Sequence, residues 1–313
     1  MGESLPIRIV EKLLLRSTTF TKFFYSSKVM EQIRLASDNR ILESDIKESA
    51  NLLSNNDSFN KFRGVSTKWG IFPINANNKH DLLFALAIFN DGVYEKGVTE
   101  VVSRYVKTGD ICIDIGANNG YYTLLFSRLS GSNGKVISFE PNPGSYAKLL
   151  NTIKINSLEN VVSYRLAVSN IPESREFYLS GLEDGLSSFA RIEYELSTIR
   201  VNSITLDSLL NGKSIDFVKI DVEGWEFFTI LGMTETLQRS KNVKMVVEYN
   251  LKLRQKVDGD PDKLIEHLNR IGFFIYEILD TGIAQTRIRT RKQLHIPLTN
   301  LFCSKVPLES LSS

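Results

Sequence analysis

Ile111-Cys112-Ile113-Asp114-Ile115-Gly116-Ala117-Asn118-Asn119-Gly120 is the most informative segment of the chain. Its first half is apolar apart from Asp114 and predicts a buried strand. Residues Tyr121 to Leu129 predict a helix directly afterwards. Gly116 and Gly120 let the backbone turn sharply and let a ligand approach closely, while the start of the helix supplies unpaired N–H groups and positive potential. The segment therefore predicts a ligand-binding turn between a strand and a helix.

A second predicted strand, Lys135 to Phe139, ends at the acidic residue Glu140. Glu140 follows the turn by about twenty residues, where a carboxylate accepts hydrogen bonds from both hydroxyls of a ribose. A tight turn without a ligand would explain the two glycines. It would not explain Asp114 and Glu140 at adjacent strand ends, on the edge of a sheet where ligands bind.

The residues around the first glycine indicate the type of ligand. A dinucleotide-binding turn has the pattern G-x-G-x-x-G, which admits a pyrophosphate, but this chain has Asn118 at the second glycine position. Asp114 precedes Gly116 by two residues, and its carboxylate would repel a pyrophosphate. The same carboxylate suits a cofactor with a positively charged amino-acid end. The pattern therefore favours S-adenosylmethionine over NAD.

Strand and helix patterns alternate along the rest of the chain, with strands at Val161 to Val168, Phe217 to Ile220, Val243 to Glu248, Phe273 to Leu279 and Leu298 to Cys303, and helices at Gly144 to Asn156, Glu226 to Leu237 and Pro261 to Arg270. This alternation predicts parallel strands joined by right-handed crossovers, and continuous apolar runs suit a sheet covered on both faces. Only a polar stretch, Asp280 to Pro297, joins the last two strands, so they should pair antiparallel. We predict a three-layer, Rossmann-like α/β fold with a seven-stranded, mostly parallel sheet and a final antiparallel hairpin, whereas dinucleotide dehydrogenases usually continue with six parallel strands.

The sequence divides into a helical N-terminal extension, residues 1–65, and a main domain, residues 66–306. In the extension, Ile9, Leu13 and Leu14 have the spacing of one helical face. The main domain begins with a short predicted strand, Trp69 to Ile74. Two predicted helices follow, Asp81 to Phe89 and Glu95 to Val106, and the second of them is stopped near Gly109.

Composition excludes few functions. The 313 residues are 42% hydrophobic and carry a net charge of +2, which gives no general affinity for nucleic acid. Cys112 and Cys303 lie in apolar runs and resemble buried hydrophobes, consistent with a reducing cytoplasm. No signal peptide or apolar run long enough to span a membrane is seen, so we expect a cytoplasmic protein. The oligomeric state is left open.

Motifs from residue 90 to about 250 resemble the FkbM family of S-adenosylmethionine-dependent methyltransferases. No single piece is decisive, but the ordered set is specific: Gly92 to Glu95, Asp114 to Tyr122, Phe139 to Pro143, Asn151, Asn156, Ala167 to Ser169, Thr205 to Asp207 and Lys219 to Glu226. The resemblance implies methyl transfer, commonly to a hydroxyl of a natural product or a sugar-containing molecule. Together with the turn analysed above, the motifs predict cofactor contacts from Glu95, Asp114, Gly116, Ala117, Asn118, Gly120, Tyr121, Glu140, Pro141, Asn142 and Ala167. Residues 1–65 and the basic hairpin near residue 287 lie outside the match.

A second acidic group is predicted on the acceptor side. Asp221 ends the predicted strand that neighbours the first one, so it should lie beside Asp114 and orient or deprotonate the acceptor. Glu223 is a further candidate, while Glu226 is better explained by the preference for acidic residues at helix starts. Glu248 ends the next strand. Asp221, Glu248 and Asn250 could together bind magnesium, but a hydrogen-bonding role for Glu248 is favoured and no metal is assigned.

The polar connection after the third predicted strand contains Ser187 and Ser188. These serines either contact the substrate or belong to a solvated loop, and the sequence favours neither interpretation. The basic run from Arg287 to Lys292 could hold a phosphate or touch RNA, but a solvated hairpin face explains it better. The sequence predicts O-methylation of a hydroxyl on a small molecule, natural product or glycan. Alternatives are an RNA or protein methyltransferase, a catalytically inactive cofactor-binding interaction module, and a dehydrogenase, which Asn118 disfavours. No nucleic-acid partner is expected.

Overall fold

A computed structural model describes residues 64–311, except for 76–77, 79–80, 82–83, 86, 89–90, 181–186, 190–194, 258–259 and 261. The predicted helical extension, residues 1–65, lies almost entirely outside this range. The chain divides into two compact units, Met1–Glu95 and Lys96–Ser313. The predicted domain boundary at residue 66 stays a prediction.

The described part of the first unit contains a small antiparallel ribbon. Its strands are β1 (Gly64–Ser66) and β2 (Ile71–Pro73), and Val65 is paired with Phe72. Phe72 is fully buried and packs edge-to-face on Phe84, with 5.3 Å between ring centroids. A two-stranded ribbon is marginal by itself, so this aromatic contact supplies the apolar packing that the ribbon requires.

The second unit alternates helices and strands along the chain. Its elements up to the middle of the unit are α1 (Lys96–Tyr105), β3 (Ile111–Ile115), α2 (Tyr121–Ser130), β4 (Lys135–Phe139), α3 (Pro143–Ile155), β5 (Val161–Tyr164), β6 (Ala167–Val168), β7 (Ser174–Ser180), β8 (Glu195–Ile204), α4 (Leu206–Leu210) and β9 (Phe217–Ile220). The remaining elements are α5 (Glu226–Leu231), α6 (Thr234–Arg239), β10 (Lys244–Asn250), α7 (Leu251–Val257), α8 (Lys263–Arg270), β11 (Phe274–Leu279), β12 (Gly282–Ile288), a 3₁₀ turn (Arg291–Gln293), β13 (Leu298–Ser304) and a final 3₁₀ turn (Leu308–Leu311).

Eight strands form the main sheet, in the order β12-β11-β13-β10-β9-β3-β4-β5. The five strands from β10 to β5 are parallel, and β13 is inserted antiparallel between β10 and β11. This confirms the predicted Rossmann-like, mostly parallel sheet with an antiparallel portion. The parallel strands all end on one side, which we call the carboxyl edge; Ile115 of β3 is in register there with Phe139 of β4 and Ile220 of β9.

The central strands are apolar on both faces because helices cover both sides of the sheet. All four residues of β9 are buried, as are Ile113 and Val247 on the neighbouring strands. Burying one such aliphatic side chain contributes about 1.5–3 kcal/mol. This dense apolar core fixes the positions of the strand ends, and with them the positions of the polar residues that follow.

The structure contains elements that the sequence patterns did not predict, among them β7, β8 and the three cases below. Val161 to Val168 is two strands, because β6 leaves the main sheet and pairs with β8 in a three-stranded sheet, β6-β8-β7. Glu226 to Leu237 is two short helices separated at Gly232, where a side chain would meet the Ser169 carbonyl oxygen at 1.9 Å. The predicted polar stretch after residue 280 contains β12, an eighth strand on the exposed sheet edge. Within the described ranges, no helix is both long and apolar enough to cross a membrane.

Candidate functional site

The turn after β3 is built from backbone conformations that favour glycine. Gly116, Asn118 and Gly120 have φ values of 83°, 46° and 89°, in the left-handed region. The backbone N–H groups of Gly116 and Ala117 both donate to the Phe139 carbonyl oxygen, at 2.9 and 3.0 Å. These bonds fold the turn over the end of β4, and α2 begins directly afterwards at Tyr121.

Gly116 also brings the turn against the end of β9. A side chain at this position would lie 1.8 Å from the Asp221 carbonyl oxygen. The Asp221 N–H in turn donates to the Ile115 carbonyl oxygen at 3.0 Å. The sequence predicted that Asp114 and Asp221 lie side by side. Their backbones do so, because β3 and β9 are adjacent strands that end together.

Glu140 is buried beside the turn and is bound on both sides by backbone. Its Oε2 accepts from the Asn118 N–H and its Oε1 from the Asn142 N–H, both at 2.8 Å. Burial raises the pKa of Glu140 to about 7, although these two N–H groups oppose the shift. A carboxylate has about four lone-pair sites, so Glu140 retains acceptor capacity for two ligand hydroxyls.

Asp114 lies in the last part of β3 and is 1% exposed. Its Oδ2 accepts a 2.5 Å hydrogen bond from Thr123 Oγ1, and Thr123 also contacts Ser138 Oγ at 2.8 Å. Burial raises the pKa of Asp114 to about 6, against the opposing effects of the Thr123 hydrogen bond and the Lys219 charge. A negative charge is thus held in a low-dielectric position at the carboxyl edge.

Lys219 is a buried cation at this edge. It lies opposite Asp114 in the β3–β9 register, is 1% exposed, and donates from Nζ to Asp221 Oδ2 at 2.9 Å. Its Nζ is 5.2 Å from the centroid of the Tyr122 ring, within the range of a cation–π contact. Sequence reasoning assigned Lys219 no role; its signal was a lone charge inside the apolar run Phe217 to Ile220.

Three carboxylates meet at the carboxyl edge near the ends of β9 and β10. Asp221, Glu223 and Glu248 each place an oxygen within 4.8 Å of the others. Burial raises the pKa of Glu248 well above its ordinary value, and the charges of Asp221 and Glu223 raise it further. Among the described residues, no hydrogen bond reaches Glu248 Oε2, which is buried. The hydrogen-bonding role predicted for Glu248 is therefore not seen at this oxygen.

Glu226 stabilises the turn before α5. Its Oε1 accepts from the N–H groups of Val222 and Gly224, at 3.3 and 3.0 Å, and its Oε2 lies 3.7 Å from Arg254 Nη1. Burial raises the pKa of Glu226, and the Arg254 charge opposes that shift. Both side chains are fully buried. The burial of Arg254 could not be predicted from the sequence, because charged residues at 252 and 256 flank it in the same helix.

Ser187 and Ser188 connect the β7–β8 segment to both parts of the site. Asn142 Oδ1 accepts from the Gly144 N–H at the start of α3. Asn142 Nδ2 donates to Ser187 Oγ at 3.2 Å. Ser188 Oγ donates to the Glu223 carbonyl oxygen at 2.7 Å. Both serines are buried, so the solvated-loop interpretation is wrong for these two residues.

The remaining predicted cofactor contacts have mixed positions. Tyr121 is buried at the start of α2, but its hydroxyl is 3.0 Å from Thr99 Oγ1 of α1. Ala167 is buried at the start of β6, and Pro141 is half-buried after Glu140. Glu95 belongs to the first unit and has a left-handed φ of 44°. Their roles as ligand contacts stay predictions.

Two other candidates have structural partners. Asn250 Oδ1 accepts from the Leu253 N–H at 3.3 Å at the start of α7, so that oxygen is engaged. In the basic run, Arg287 lies over the Phe274 ring at 4.1 Å, and Arg291 Nε is 3.3 Å from Asp262. Arg287 belongs to the end of β12 that pairs with the beginning of β11, away from the carboxyl edge. These contacts favour a structural role for Asn250 and Arg287.

Comparison with known proteins agrees with this arrangement. The family model of the methyltransferase FkbM domain matches residues 114–275, just over half of the chain. No match was found among curated proteins.

Three similar solved structures have low sequence identity. A putative rRNA methylase from Clostridium thermocellum is 13% identical, with a TM-score of 0.43 over 67% of this chain and 93% of that chain. A putative methyltransferase from Streptococcus mutans, in complex with SAH, is 12% identical, with a TM-score of 0.41 over 67% of this chain and 96% of that one. The methyltransferase FkbM from Methylobacillus flagellatus is 11% identical, with a TM-score of 0.41 over 81% of this chain and 57% of that one.

The strand order, the antiparallel β13 and the acidic turn after β3 define the class as Rossmann-like methyltransferases. Within that class, the chain belongs to the FkbM methyltransferase family.

Proposed function

We propose that the protein binds S-adenosylmethionine at the turn Asp114 to Gly120 and transfers its methyl group to a hydroxyl of a small molecule, natural product or glycan. The observation that carries this proposal is the pair of buried carboxylates, Asp114 and Glu140, at the ends of adjacent strands on either side of that turn. Burial of two carboxylates is costly even with the hydrogen bonds that they accept from the protein, and a ligand that binds them would offset part of that cost. They suit a cofactor with ribose hydroxyls and a cationic amino-acid end.

In this proposal the two acids act on different parts of the cofactor. Glu140 accepts from the ribose hydroxyls, since its oxygens are held in place by the Asn118 and Asn142 N–H groups. Asp114 supplies negative charge near the cofactor's ammonium group. The turn between them, with left-handed Gly116 and Gly120, allows close approach of the backbone to the ligand.

Asp221 is proposed to orient or deprotonate the acceptor hydroxyl. Methyl transfer is an in-line displacement, so alignment of the acceptor oxygen with the sulfonium is the main requirement. Asp221 lies at the carboxyl edge beside the turn, and the Lys219 ammonium holds one of its oxygens. Glu223 and Glu248 complete the acceptor side, within 4.8 Å of Asp221 by their oxygens.

Calorimetric titration with S-adenosylmethionine and with NAD tests the cofactor assignment. We expect saturable binding of S-adenosylmethionine, and at least a tenfold loss of affinity in Asp114→Asn and in Glu140→Gln. The matched control is Glu277→Gln, which changes a fully buried carboxylate on β11, four strands from β3. Tight binding of NAD without binding of S-adenosylmethionine would refute the assignment.

Asp221→Asn tests the acceptor side. The variant should bind S-adenosylmethionine as the parent does, because it keeps the backbone against which Gly116 packs. Turnover should fall by about 10²–10⁴-fold if Asp221 takes the proton. The assay is transfer of a tritiated methyl group to a panel of hydroxyl-bearing acceptors. Unchanged turnover with a responsive acceptor would remove the proposed role.

A further inference from the structure

The acceptor side concentrates negative charge. Asp221, Glu223 and Glu248 come from the end of β9, the turn after it and β10, and their oxygens lie within 4.8 Å of one another. Lys219 is bonded to this group, and its Nζ donates to Asp221 Oδ2 at 2.9 Å. Three acidic side chains from separate segments therefore lie close together at this edge of the sheet.

Glu248 distinguishes this group from an ordinary acidic surface. Its Oε2 is fully buried, and no hydrogen-bond donor among the described residues reaches it. A buried carboxylate oxygen without a donor is costly. Glu248 belongs to the group formed with Asp221 and Glu223, so a cation bound by the three carboxylates would supply the partner that Glu248 Oε2 lacks among the described residues.

We propose that Asp221, Glu223 and Glu248 bind one divalent cation of the Mg²⁺ or Mn²⁺ type on the acceptor side of the cofactor turn. Carboxylate oxygens are the ligands that these hard cations prefer. The sequence alone suggested Asn250 as a third ligand, but the Asn250 oxygen is bonded to the Leu253 N–H, whereas Glu223 lies with the other two acids. The carboxylate oxygens are up to 4.8 Å apart. Two ligand oxygens that each lie about 2.0–2.1 Å from Mg²⁺ cannot be further apart than twice that distance. The side chains must therefore move slightly closer together when the cation binds.

This inference rests on the proposed function for its consequence. A cation held here would coordinate the acceptor hydroxyl and lower its pKa, so that its proton is released to solvent. The alkoxide oxygen would then bond to the methyl carbon of S-adenosylmethionine as the carbon–sulfur bond breaks, and S-adenosylhomocysteine would leave. The three carboxylates would then act as ligands that fix the cation, and Lys219 would orient Asp221 from behind. The acceptor favoured by such a site carries at least one hydroxyl, preferably with a second oxygen that can chelate the same cation.

Binding of Mn²⁺ to the full chain, followed by electron paramagnetic resonance after removal of metals with EDTA and dialysis, tests the site directly. We expect one saturable Mn²⁺ site per chain, from which excess Mg²⁺ displaces the Mn²⁺. Glu248→Gln and Asp221→Asn should each weaken Mn²⁺ binding at least tenfold. Glu100→Gln, which changes an exposed acid on α1, should bind Mn²⁺ as the parent does.

A saturable site that is unaffected by Glu248→Gln would place the cation elsewhere and overturn the inference. Absence of any saturable Mn²⁺ site would also overturn it. Circular dichroism and melting temperature of each variant establish that it is folded. Removing a buried like charge should leave the metal-free variant Glu248→Gln at least as stable as the parent.

Measurements on the metal-free protein separate this inference from the proposed function. S-adenosylmethionine should bind the metal-free protein within about twofold of its affinity for the Mg²⁺-loaded protein, since Asp114 and Glu140 are not ligands. Methyl transfer should require Mg²⁺ or Mn²⁺. Full methyl transfer by metal-free protein would overturn the cation site and leave the methyltransferase assignment intact. Failure to bind S-adenosylmethionine with or without metal would overturn the proposed function, while the Mn²⁺ titration would still decide the cation site.

Discussion

Replacing Gly116 by alanine tests whether the cofactor turn depends on close packing against β9. The new methyl group would lie 1.8 Å from the Asp221 carbonyl oxygen and 2.8 Å from its carbonyl carbon. Ordinary van der Waals contact begins at 3.4 Å, so the turn or the end of β9 must move. The same residue has a φ of 83°, which alanine adopts only with strain.

A matched control separates these two costs. Gly212 has a φ of 87°, but a methyl group there would meet nothing within 4 Å. We expect Gly212→Ala to lower the free energy of unfolding by about 1–2 kcal/mol, the cost of the left-handed backbone alone. Gly116→Ala carries that cost and also disturbs backbone bonds between β3, β4 and β9, for a total of roughly 3–5 kcal/mol.

Urea denaturation of the two variants and the parent measures this difference. Calorimetry on the folded proteins should also show that Gly116→Ala weakens binding of S-adenosylmethionine, while Gly212→Ala does not. If the two variants lose equal stability and both retain cofactor affinity, then the turn is not held against β9 as described.

Two further perturbations address the buried charges. Burial raises the pKa values of Asp114 and Glu140 to about 6 and about 7. Between the ordinary carboxyl pKa and these values, the folded protein keeps protons that the unfolded chain has released. The free energy of unfolding of the ligand-free protein should therefore fall as pH rises through this window, by at most about 1.4 kcal/mol per pH unit for each group. Urea midpoints from pH 4 to 8 measure the slope of the unfolding free energy against pH. Asp114→Asn should flatten this slope mainly below about pH 6, and Glu140→Gln should flatten it up to about pH 7. Identical slopes in the parent and the variants would contradict the assignment. Arg254→Met should cost about 3–5 kcal/mol, because it leaves Glu226 buried and unpaired, and adding Glu226→Gln should recover part of the loss in urea unfolding. Simple additivity of the two changes would show that the pair is not coupled.

The central strands were predictable because their residues are buried on both faces. The predicted strand Phe217 to Ile220 matches β9 at both ends, since an apolar run bounded by charged residues has one interpretation. β12 was missed because its sequence, GIAQTRI, belongs to a sheet edge where polar side chains face water. The sequence predicted one strand where the structure has β5 and β6. The chain passes from the main sheet to the smaller sheet between Tyr164 and Ala167, and no change in hydrophobicity marks that point.

The candidate site divides in the same way. Asp114, Glu140 and Asp221 could be placed because each ends or nearly ends a recognisable strand, and parallel strand ends share one edge. Partners that come from distant parts of the chain could not be placed. The Arg254–Glu226 pair depends on how α7 packs on the turn before α5. The position of Ser188 against Glu223 depends on the second, smaller sheet.

Ser187 and Ser188 are neighbours in the chain, yet one contacts the cofactor side and the other the acceptor side. Ser187 accepts from Asn142, whose N–H donates to Glu140, and Ser188 donates to the Glu223 carbonyl oxygen. Ordering of one serine should therefore restrict the other, so we expect binding of the proposed cofactor and acceptor to be thermodynamically linked. Linkage is reciprocal: whatever factor the cofactor adds to acceptor affinity, the acceptor adds to cofactor affinity. Alanine at both serines should bring that cooperativity factor towards one, while each ligand by itself still binds.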